Sequence, residues 1–180
     1  MKLPEKIIFF DTETTGITVS DEILSLAIVD QDGNTLFNEL IRPSRKKKWP
    51  EAARVNHITP DMVKNRPTFR FFREQIQRIF DQADLVVGYN TDFDLGFVRN
   101  KGIRYSGPVV DVMEEFAPIY GEWSDYFESY KWQKLTTCAR YYGYDWGDSA
   151  AHDALADTLA TRFCFYRIVE TQGNLHTYKM

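Results

Sequence analysis

The order of the apolar segments is the feature that most constrains the fold of this chain. Three short strand-like runs, at residues 6–11, 23–29 and 35–41, follow one another with only turn-like segments between them. Two more, at 85–89 and 108–112, alternate with segments whose apolar residues recur every three to four positions, as in helices. Consecutive hairpin strands followed by strand-helix-strand units predict an α/β protein with a five-stranded mixed sheet and helices on both faces.

Capping residues mark the expected helices. Thr59 precedes Pro60, and Thr68 precedes a helical pattern that extends to about residue 83. Further helical patterns begin near residues 94, 113, 134 and 153, and the last extends to about residue 170. With 180 residues and 43% apolar side chains, the chain is long enough for one core, so we expect a single domain over residues 1–180.

Composition excludes several classes of protein. The longest apolar runs are far shorter than the roughly 18 residues of a membrane-spanning helix. The N-terminal segment meets Asp11 before a signal-peptide core forms, so we expect an uncleaved, cytoplasmic protein with no membrane partner. Two cysteines, Cys138 and Cys164, without the spacing of a zinc site, favour reduced thiols in the core.

Positive charge is concentrated in one part of the chain. The net charge is -4, which by itself disfavours a nucleic-acid partner. Yet 11 of the 22 basic residues lie between positions 42 and 78. A protein with a carboxylate cluster in one place and a polyanion track in another needs such an uneven distribution. Lys46, Lys47 and Lys48 are the candidate phosphate contacts, with an ordinary solvated loop as the alternative.

Acidic residues follow two of the predicted strands. Asp11 and Glu13 end the first strand, where the two-residue side-chain period places both carboxylates on one face and Thr12 on the other. Asp94 follows the fourth strand, and ligand sites of open α/β sheets collect at such strand ends. Carboxylates aimed at one point favour a bound cation. Asp92 is the alternative to Asp94, with helix capping as its other role.

A histidine and an acid open the last predicted helix. His152 and Asp157 lie five positions apart, about 140° around a helix, and would not share a face if both were inside it. They share a site if Asp153 is the N-cap, because His152 then lies in the preceding loop and Asp157 projects from the first or second turn. Ala154 and Ala156 leave room beside the sheet.

Two further groups of residues are candidates for contact with a ligand. Small side chains and a flexible glycine follow the first strand and allow a ligand to approach the backbone; they are Thr14, Thr15 and Gly16. Aromatic side chains crowd a later segment and either stack on bases or pack in the core or a lid; they are Trp123, Tyr126, Phe127, Tyr130 and Trp132.

Three segments in a fixed order carry a family resemblance. FFDTETTG, NTDFDLGF and HDALAD resemble the motifs of the DnaQ-like 3′-to-5′ exonucleases of the DEDDh type, among them the epsilon proofreading subunit of DNA polymerase III and ribonuclease T-like enzymes. The resemblance spans about residues 6–167. It implies a ribonuclease H-like fold whose second strand is antiparallel to the others. The tyrosine-type branch is disfavoured because Asp153 stands four positions before Asp157.

The resemblance also implies a chemistry. Its four metal-site acids match Asp11, Glu13, Asp94 and Asp157, and its catalytic histidine matches His152. We therefore expect two Mg²⁺ or Mn²⁺ ions, with the histidine accepting a proton from the attacking water. The expected substrate is the 3′ end of nucleic acid, single-stranded DNA before RNA, with nucleoside 5′-monophosphates as products. The remaining expected substrate contacts are His57, Asn90 and Phe93.

The chain departs from the family pattern in two places. Asn56, His57, Ile58 and Thr59 replace a His-Gly-Ile-Thr stretch, and Tyr89 stands where a histidine often precedes the asparagine of the second motif. Both positions affect how the terminal nucleotide is held. Two alternatives stay open at this point, an exoribonuclease that trims RNA 3′ ends and a non-catalytic subunit bound to a polymerase. A DNA polymerase is accordingly the candidate protein partner.

Overall fold

A computed structural model describes residues 3–147, 152–173 and 175. Its main sheet contains five strands, which are β1 (Ile7–Thr14), β2 (Ile23–Asp30), β3 (Thr35–Leu40), β4 (Leu85–Gly88) and β5 (Val109–Asp111). The strands lie side by side in the order β3-β2-β1-β4-β5. β2 pairs antiparallel with both of its neighbours, whereas β1, β4 and β5 pair in parallel. The predicted mixed sheet, with its second strand antiparallel to the others, is confirmed.

Helices cover both faces of this sheet. They are α1 (Pro50–Asn56), α2 (Pro60–Val63), α3 (Phe69–Gln82), α4 (Thr91–Asn100), α5 (Val112–Tyr120), α6 (Leu135–Tyr142) and α7 (Ala154–Gln172). α3 and α4 pack on one face, and α5, α6 and α7 pack on the other. Among the described residues, no helix combines the length and apolar character needed to cross a bilayer.

The central strand β1 is apolar on both faces because both are covered. Phe10 packs edge to face on Phe80 of α3, with ring centroids 5.5 Å apart. Phe9 points the other way and packs on Phe165 of α7, at 5.4 Å. This alternation continues to the end of the strand, so the residues that follow Phe9 and Phe10 approach helices on opposite faces. The carboxyl end of β1 therefore lies between helices on both faces of the sheet.

Several sequence-based boundaries are confirmed and others need correction. Thr59, Thr68 and Asp153 are the N-caps of α2, α3 and α7, as predicted. α4 begins at Thr91 instead of residue 94, because Asn90 adopts a left-handed conformation (φ 62°) and turns the chain directly into the helix. Cys138 and Cys164 are buried free thiols, as expected.

Three short elements were not predicted from the sequence. α1 has only seven residues and buries only Asn56, so it leaves no helical periodicity to detect. The aromatic segment forms a small hairpin of β6 (Trp123–Ser124) and β7 (Ser129–Tyr130). Strands of two residues are too short to produce a detectable alternation of apolar and polar positions.

Candidate active site

The predicted acids reach one end of the sheet from three elements. Asp11 and Glu13 lie at the end of β1 on the face that packs against α7, and both are half-buried. Asp94 lies in the first turn of α4 and Asp157 in the first turn of α7. The carboxylates of Asp94, Asp157 and Glu13 all act electrostatically on Asp11. The fold therefore brings the four acids to one place from both sides of the sheet.

Thr12 fixes Asp94 against the end of β1. Its backbone N–H donates to Oδ1 of Asp94 at 3.0 Å, and its hydroxyl donates to the same oxygen. Asp94 is only 3% exposed, and burial raises the pKa of its carboxyl group to about 7 even though the two hydrogen bonds oppose the shift. The two-residue period of β1 predicts that Thr12 lies on the opposite face from Asp11, and this is the face where α4 brings Asp94.

His152 and Asp157 share the site in the way the capping argument predicts. The side chain of Asp153 accepts hydrogen bonds from the backbone N–H groups of Leu155 at 3.1 Å and Ala156 at 3.0 Å, which caps α7. His152 precedes this cap in a left-handed conformation (φ 73°), and its backbone N–H donates to Oδ2 of Asp157 at 3.1 Å. The other oxygen of Asp157, Oδ1, is buried without a hydrogen-bond partner among the described residues.

Three of the predicted residues are already spaced as metal ligands. One ligand atom from each of Glu13, His152 and Asp157 lies within 4.8 Å of the other two. Asn56 supports this group from α1, because its side-chain amide donates to the backbone oxygen of Thr14 at 3.1 Å and also bonds the carboxylate of Glu13. Asn56 stands where the His-Gly-Ile-Thr stretch of the family begins with histidine. This departure was the only feature of the sequence that pointed to Asn56.

Burial and the neighbouring negative charges both raise the pKa values of the clustered carboxyl groups. Burial is the main cause, and the neighbouring negative charges add to it. Together they raise the pKa of Asp11 well above its usual range and that of Glu13 to about 8. Burial also raises the pKa of Asp157 to about 6. A divalent cation at this point would reverse these shifts by neutralising the acids, so the cluster suits a metal ion and carries an electrostatic cost without one.

Asp94 belongs to the cluster, whereas the alternative, Asp92, does not. Asp92 is exposed and lines a separate cavity of about 250 Å³ together with Arg99 and Asp111. It is not the cap of α4 either, because Asn90 holds that position. The backbone N–H of Asn90 donates to Oδ1 of Asp111 at 3.0 Å, so a carboxylate of β5 fixes the turn that leads to Asp94.

The threonine hydroxyl groups at the end of β1 and directly after it bond to other residues of the same turn. The hydroxyl of Thr14 donates to the backbone oxygen of Gly16 at 2.6 Å, and that of Thr15 donates to Oδ1 of Asp21 at 2.9 Å. A Cβ atom at Gly16 would lie 2.6 Å from Oδ2 of Asp21, so the absence of a side chain there admits this carboxylate. Contact between these residues and substrate stays a prediction.

Among the remaining predicted substrate contacts, His57 shares a cleft with His152. It follows α1 in a left-handed conformation (φ 58°), is exposed, and lines a cleft of about 490 Å³ with His152 and Arg66. Phe93 is half-buried against Phe97, with ring centroids 4.9 Å apart, and Asn90 is exposed. Of these three residues, only His57 lines the cleft beside His152.

Residues 44–48, which we refer to as the basic loop, are held by a buried carboxylate that was not predicted from the sequence. Glu22 is 1% exposed and accepts hydrogen bonds from the backbone N–H groups of Ser44, Arg45 and Lys46, and from Nζ of Lys101 at 3.1 Å. Burial alone would raise the pKa of Glu22, but these bonds lower it to about 2. The basic loop is thus fixed next to the segment that follows Asp11 and Glu13.

The three lysines of this loop differ in their surroundings. Lys46 is half-buried, and its Nζ lies 2.9 Å from Oδ1 of Asp21. Lys47 and Lys48 are exposed. Only the last two present a charge that no carboxylate of the described residues already pairs with, so the predicted phosphate track rests mainly on them.

The aromatic hairpin is exposed. Tyr126 and Phe127 are 87% and 73% exposed, so they do not pack in the core. Trp123 and Tyr130 pack edge to face across the hairpin at 5.2 Å. The hydroxyl of Tyr89 donates to the backbone oxygen of Gln133 at 2.7 Å, which ties the end of the hairpin segment to the end of β4.

Comparison with known proteins decides the family. Residues 8–162 match the profile of the RNase_T family, described as Exonuclease. The chain belongs to this exonuclease family. The exonuclease is 30% identical over 169 residues to the uncharacterized exonuclease CP81 of Escherichia phage 186, and the match covers 88% of this chain and 86% of the phage protein. The predicted DnaQ-like family and enzyme class are confirmed.

Two further similarities place the exonuclease among its relatives. It is 30% identical over 173 residues to a DNA polymerase III subunit epsilon-like protein of Rhodobacter capsulatus, and the match covers 90% of this chain but only 23% of that protein. Its fold matches that of exonuclease X in complex with 5′ overhanging duplex DNA, with a TM-score of 0.71, 21% identity and 96% coverage of both chains. This likeness confirms the ribonuclease H-like fold.

Proposed function

We propose that this exonuclease removes nucleotides from the 3′ end of single-stranded DNA and releases nucleoside 5′-monophosphates. The observation that carries the proposal is the convergence of four carboxylates from β1, α4 and α7 beside His152. The similarity to a DNA polymerase III epsilon-like protein supports DNA over RNA as substrate, and it supports a DNA polymerase as partner and the cytoplasm as location.

The cluster fits divalent metal ions. Four carboxylates provide the hard oxygen ligands that Mg²⁺ and Mn²⁺ prefer. Oδ1 of Asp157 is buried without a partner among the described residues, as expected of an atom reserved for a ligand. Asp11, Glu13, Asp94 and Asp157 would hold two such ions, which when bound stabilise the negative charge that develops on the scissile phosphate.

His152 is placed to accept a proton. Its ligand nitrogen lies within 4.8 Å of the carboxylate oxygens of Glu13 and Asp157, and its side chain is exposed. A neutral imidazole can take a proton from water as the water oxygen attacks phosphorus. The bond from phosphorus to the 3′ oxygen of the preceding nucleotide then breaks, that oxygen takes up a proton from solvent to become a hydroxyl, and the terminal nucleotide leaves with a 5′-phosphate.

Thr12 and Asp153 position these groups. The two hydrogen bonds from Thr12 hold one oxygen of Asp94 and leave its other oxygen for a ligand. Asp153 fixes the start of α7, and thereby the relation between His152 and Asp157. This support matters because small displacements of catalytic groups cost large factors in rate.

The test is a parallel digestion of matched DNA and RNA oligonucleotides labelled at the 5′ end. We expect the DNA strand to shorten stepwise in Mg²⁺, and a blocked 3′ terminus to prevent this. Faster shortening of the RNA strand would assign the enzyme to RNA 3′-end trimming instead. Fragments cut from a circular single strand would contradict attack at a 3′ end.

A further inference from the structure

A second basic feature lies outside the carboxylate site. One side of α3 and the segment after α4 enclose a cleft of about 560 Å³. The three arginines that line it are Arg73, Arg78 and Arg104. The other lining residues are Glu74, Gln77, Asp81 and Gly102. We refer to it as the arginine cleft.

The guanidinium groups of the arginine cleft are available for an anion. All three arginines are exposed, and none takes part in an ion pair within the described parts of the chain. Asp81 also lines the cleft, but one of its oxygens accepts a hydrogen bond from Nε2 of Gln77 at 2.6 Å. Three full positive charges therefore face two carboxylates, one of them already hydrogen-bonded, which leaves a net attraction for phosphate.

The walls of the arginine cleft are joined firmly. The side chain of Gln77 donates to the backbone oxygen of Arg104 at 2.9 Å and accepts from its backbone N–H at 2.8 Å. The guanidinium of Arg73 packs beside Gly102, where a Cβ atom would lie 3.6 Å from Nη1. The cleft is thus a fixed feature formed between two elements, which lowers the ordering cost of binding.

A chain of contacts connects the arginine cleft to the catalytic end of the sheet. Lys101, directly before Gly102, donates to Glu22, and Glu22 in turn holds the backbone of the basic loop. Glu22 also begins the return from β1, since its backbone oxygen accepts from the N–H of Thr15 at 2.8 Å. A continuous chain of contacts therefore runs from the segment after the acids, through Glu22, to the basic loop and to Lys101 directly before the arginine cleft.

The separation from the site can be bounded by chain geometry. Asp94 to Asn100 is helical, at about 1.5 Å per residue, and four more residues reach Arg104 at no more than about 3.6 Å each. The arginine cleft therefore lies within about 25 Å of Asp94. Because a stacked strand advances about 3.4 Å per nucleotide, this distance corresponds to no more than about seven nucleotides.

We propose that the arginine cleft binds backbone phosphates of the DNA strand several nucleotides upstream of the 3′ end held at the carboxylates. The inference rests on the proposed function and adds a second contact point for long substrates. Guanidinium groups suit the role because their planar set of donors matches phosphate oxygens. Such contacts hold the strand without selecting sequence.

The test compares Arg73→Gln with Arg104→Gln in one protein against a matched control, Arg140→Gln with Arg167→Gln. The control residues lie on α6 and α7, on the other face of the sheet, and the control removes the same charge. Dissociation constants are measured by fluorescence anisotropy in Ca²⁺, for single-stranded DNA of about 4 and about 15 nucleotides, across a salt series. Binding is measured without turnover, so the result does not depend on cleavage.

We expect the variant to bind the long strand more weakly than wild type at low salt and to show a smaller loss of affinity for the short strand. Two lost phosphate contacts should flatten the salt dependence for the long strand by about 1.4 log units, so wild-type affinity should fall roughly sevenfold further than that of the variant between 50 and 200 mM salt. An equal loss of affinity for both strand lengths, or an unchanged salt dependence of Kd, would overturn the proposal that the arginine cleft binds upstream phosphates. Failure of the enzyme to shorten DNA of either length would instead overturn the proposed function.

Discussion

The backbone N–H of His152 donates to Oδ2 of Asp157 at 3.1 Å, while Oδ1 of the same carboxylate is buried and unbonded among the described residues. A buried oxygen without a partner costs folding free energy, and burial raises the pKa of this carboxyl to about 6. The metal-free protein is therefore less stable than it would be if this ligand atom were hydrogen-bonded or uncharged. Replacement of the carboxylate should maintain or raise the stability of the metal-free protein and weaken metal binding.

Asp157→Asn should remove activity without unfolding the metal-free protein. The amide carries no charge, so it relieves repulsion within the cluster. The thermal midpoint in EDTA should hold or rise by a few degrees, since 1 kcal/mol corresponds to about 2–4 °C for a chain of this size. Mn²⁺ should stabilise wild type more than the variant. A clear drop of the variant's midpoint in EDTA would identify Asp157 as a structural residue.

The stability of the metal-free enzyme should depend on pH through Glu13. Burial and the neighbouring acids raise its pKa from 4.5 to about 8, so between these values the folded protein holds a proton that the unfolded chain has released. Its favourable contribution is complete below about pH 4.5 and is lost as the pH rises towards 8. Glu13→Gln keeps a neutral side chain throughout.

The midpoint of Glu13→Gln in EDTA, measured relative to wild type, should therefore rise between pH 4.5 and pH 8. The matched control is Glu5→Gln, because Glu5 is exposed near the start of the chain. Its midpoint relative to wild type should stay level over the same range. If the difference in midpoint between Glu13→Gln and wild type is also independent of pH over this range, the Glu13 carboxyl is not electrostatically coupled to the cluster.

His152→Ala should lower kcat by about 10²- to 10⁴-fold, the usual loss for a missing general base. Affinity for Mn²⁺, measured by calorimetric titration, should change little. His57→Ala is the control, because His57 lines the same cleft and should alter KM more than kcat. Loss of Mn²⁺ binding in His152→Ala would make the histidine a metal ligand, which its spacing to Glu13 and Asp157 also allows.

The exposed lysines of the basic loop should account for most of its contribution to the salt dependence of binding. Lys47→Gln combined with Lys48→Gln should flatten the dependence of Kd on salt by about 1.4 log units for single-stranded DNA. Lys46→Gln should have a smaller effect, because Asp21 already neutralises much of its charge. Equal effects from all three lysines would show that the ion pair of Lys46 opens on binding.

The parts of the site that were predictable from sequence depend on local rules. The alternation along β1 places Asp11 and Glu13 together, and the capping role of Asp153 brings His152 and Asp157 to one site. These inferences need only the period of a strand and the start of a helix. The position of Asp94 after the fourth strand placed it within reach of the same site, and the resemblance to a known family selected it over Asp92.

The missed contacts all join distant parts of the chain. Thr12 and Asp94 are 82 positions apart, and Glu22 binds backbone groups 22 to 24 positions away and a lysine 79 positions away. No local pattern marks a residue whose partners are distant backbone N–H groups. Asp92 and Asp94 illustrate the same limit, because helix α4 starts three residues earlier than predicted and determines which acid faces β1.

The most direct test of the account compares these two acids of α4. The rate at which a 5′-labelled DNA strand shortens in Mg²⁺ is measured for wild type, Asp94→Asn and Asp92→Asn, which remove the same charge two positions apart. We expect Asp94→Asn to lose at least about 100-fold in rate, as for other groups that act in the transition state, and Asp92→Asn to keep nearly all of it. Equal rates for the two variants, or a normal rate for Asp94→Asn, would contradict the assignment of the carboxylate cluster as the catalytic centre.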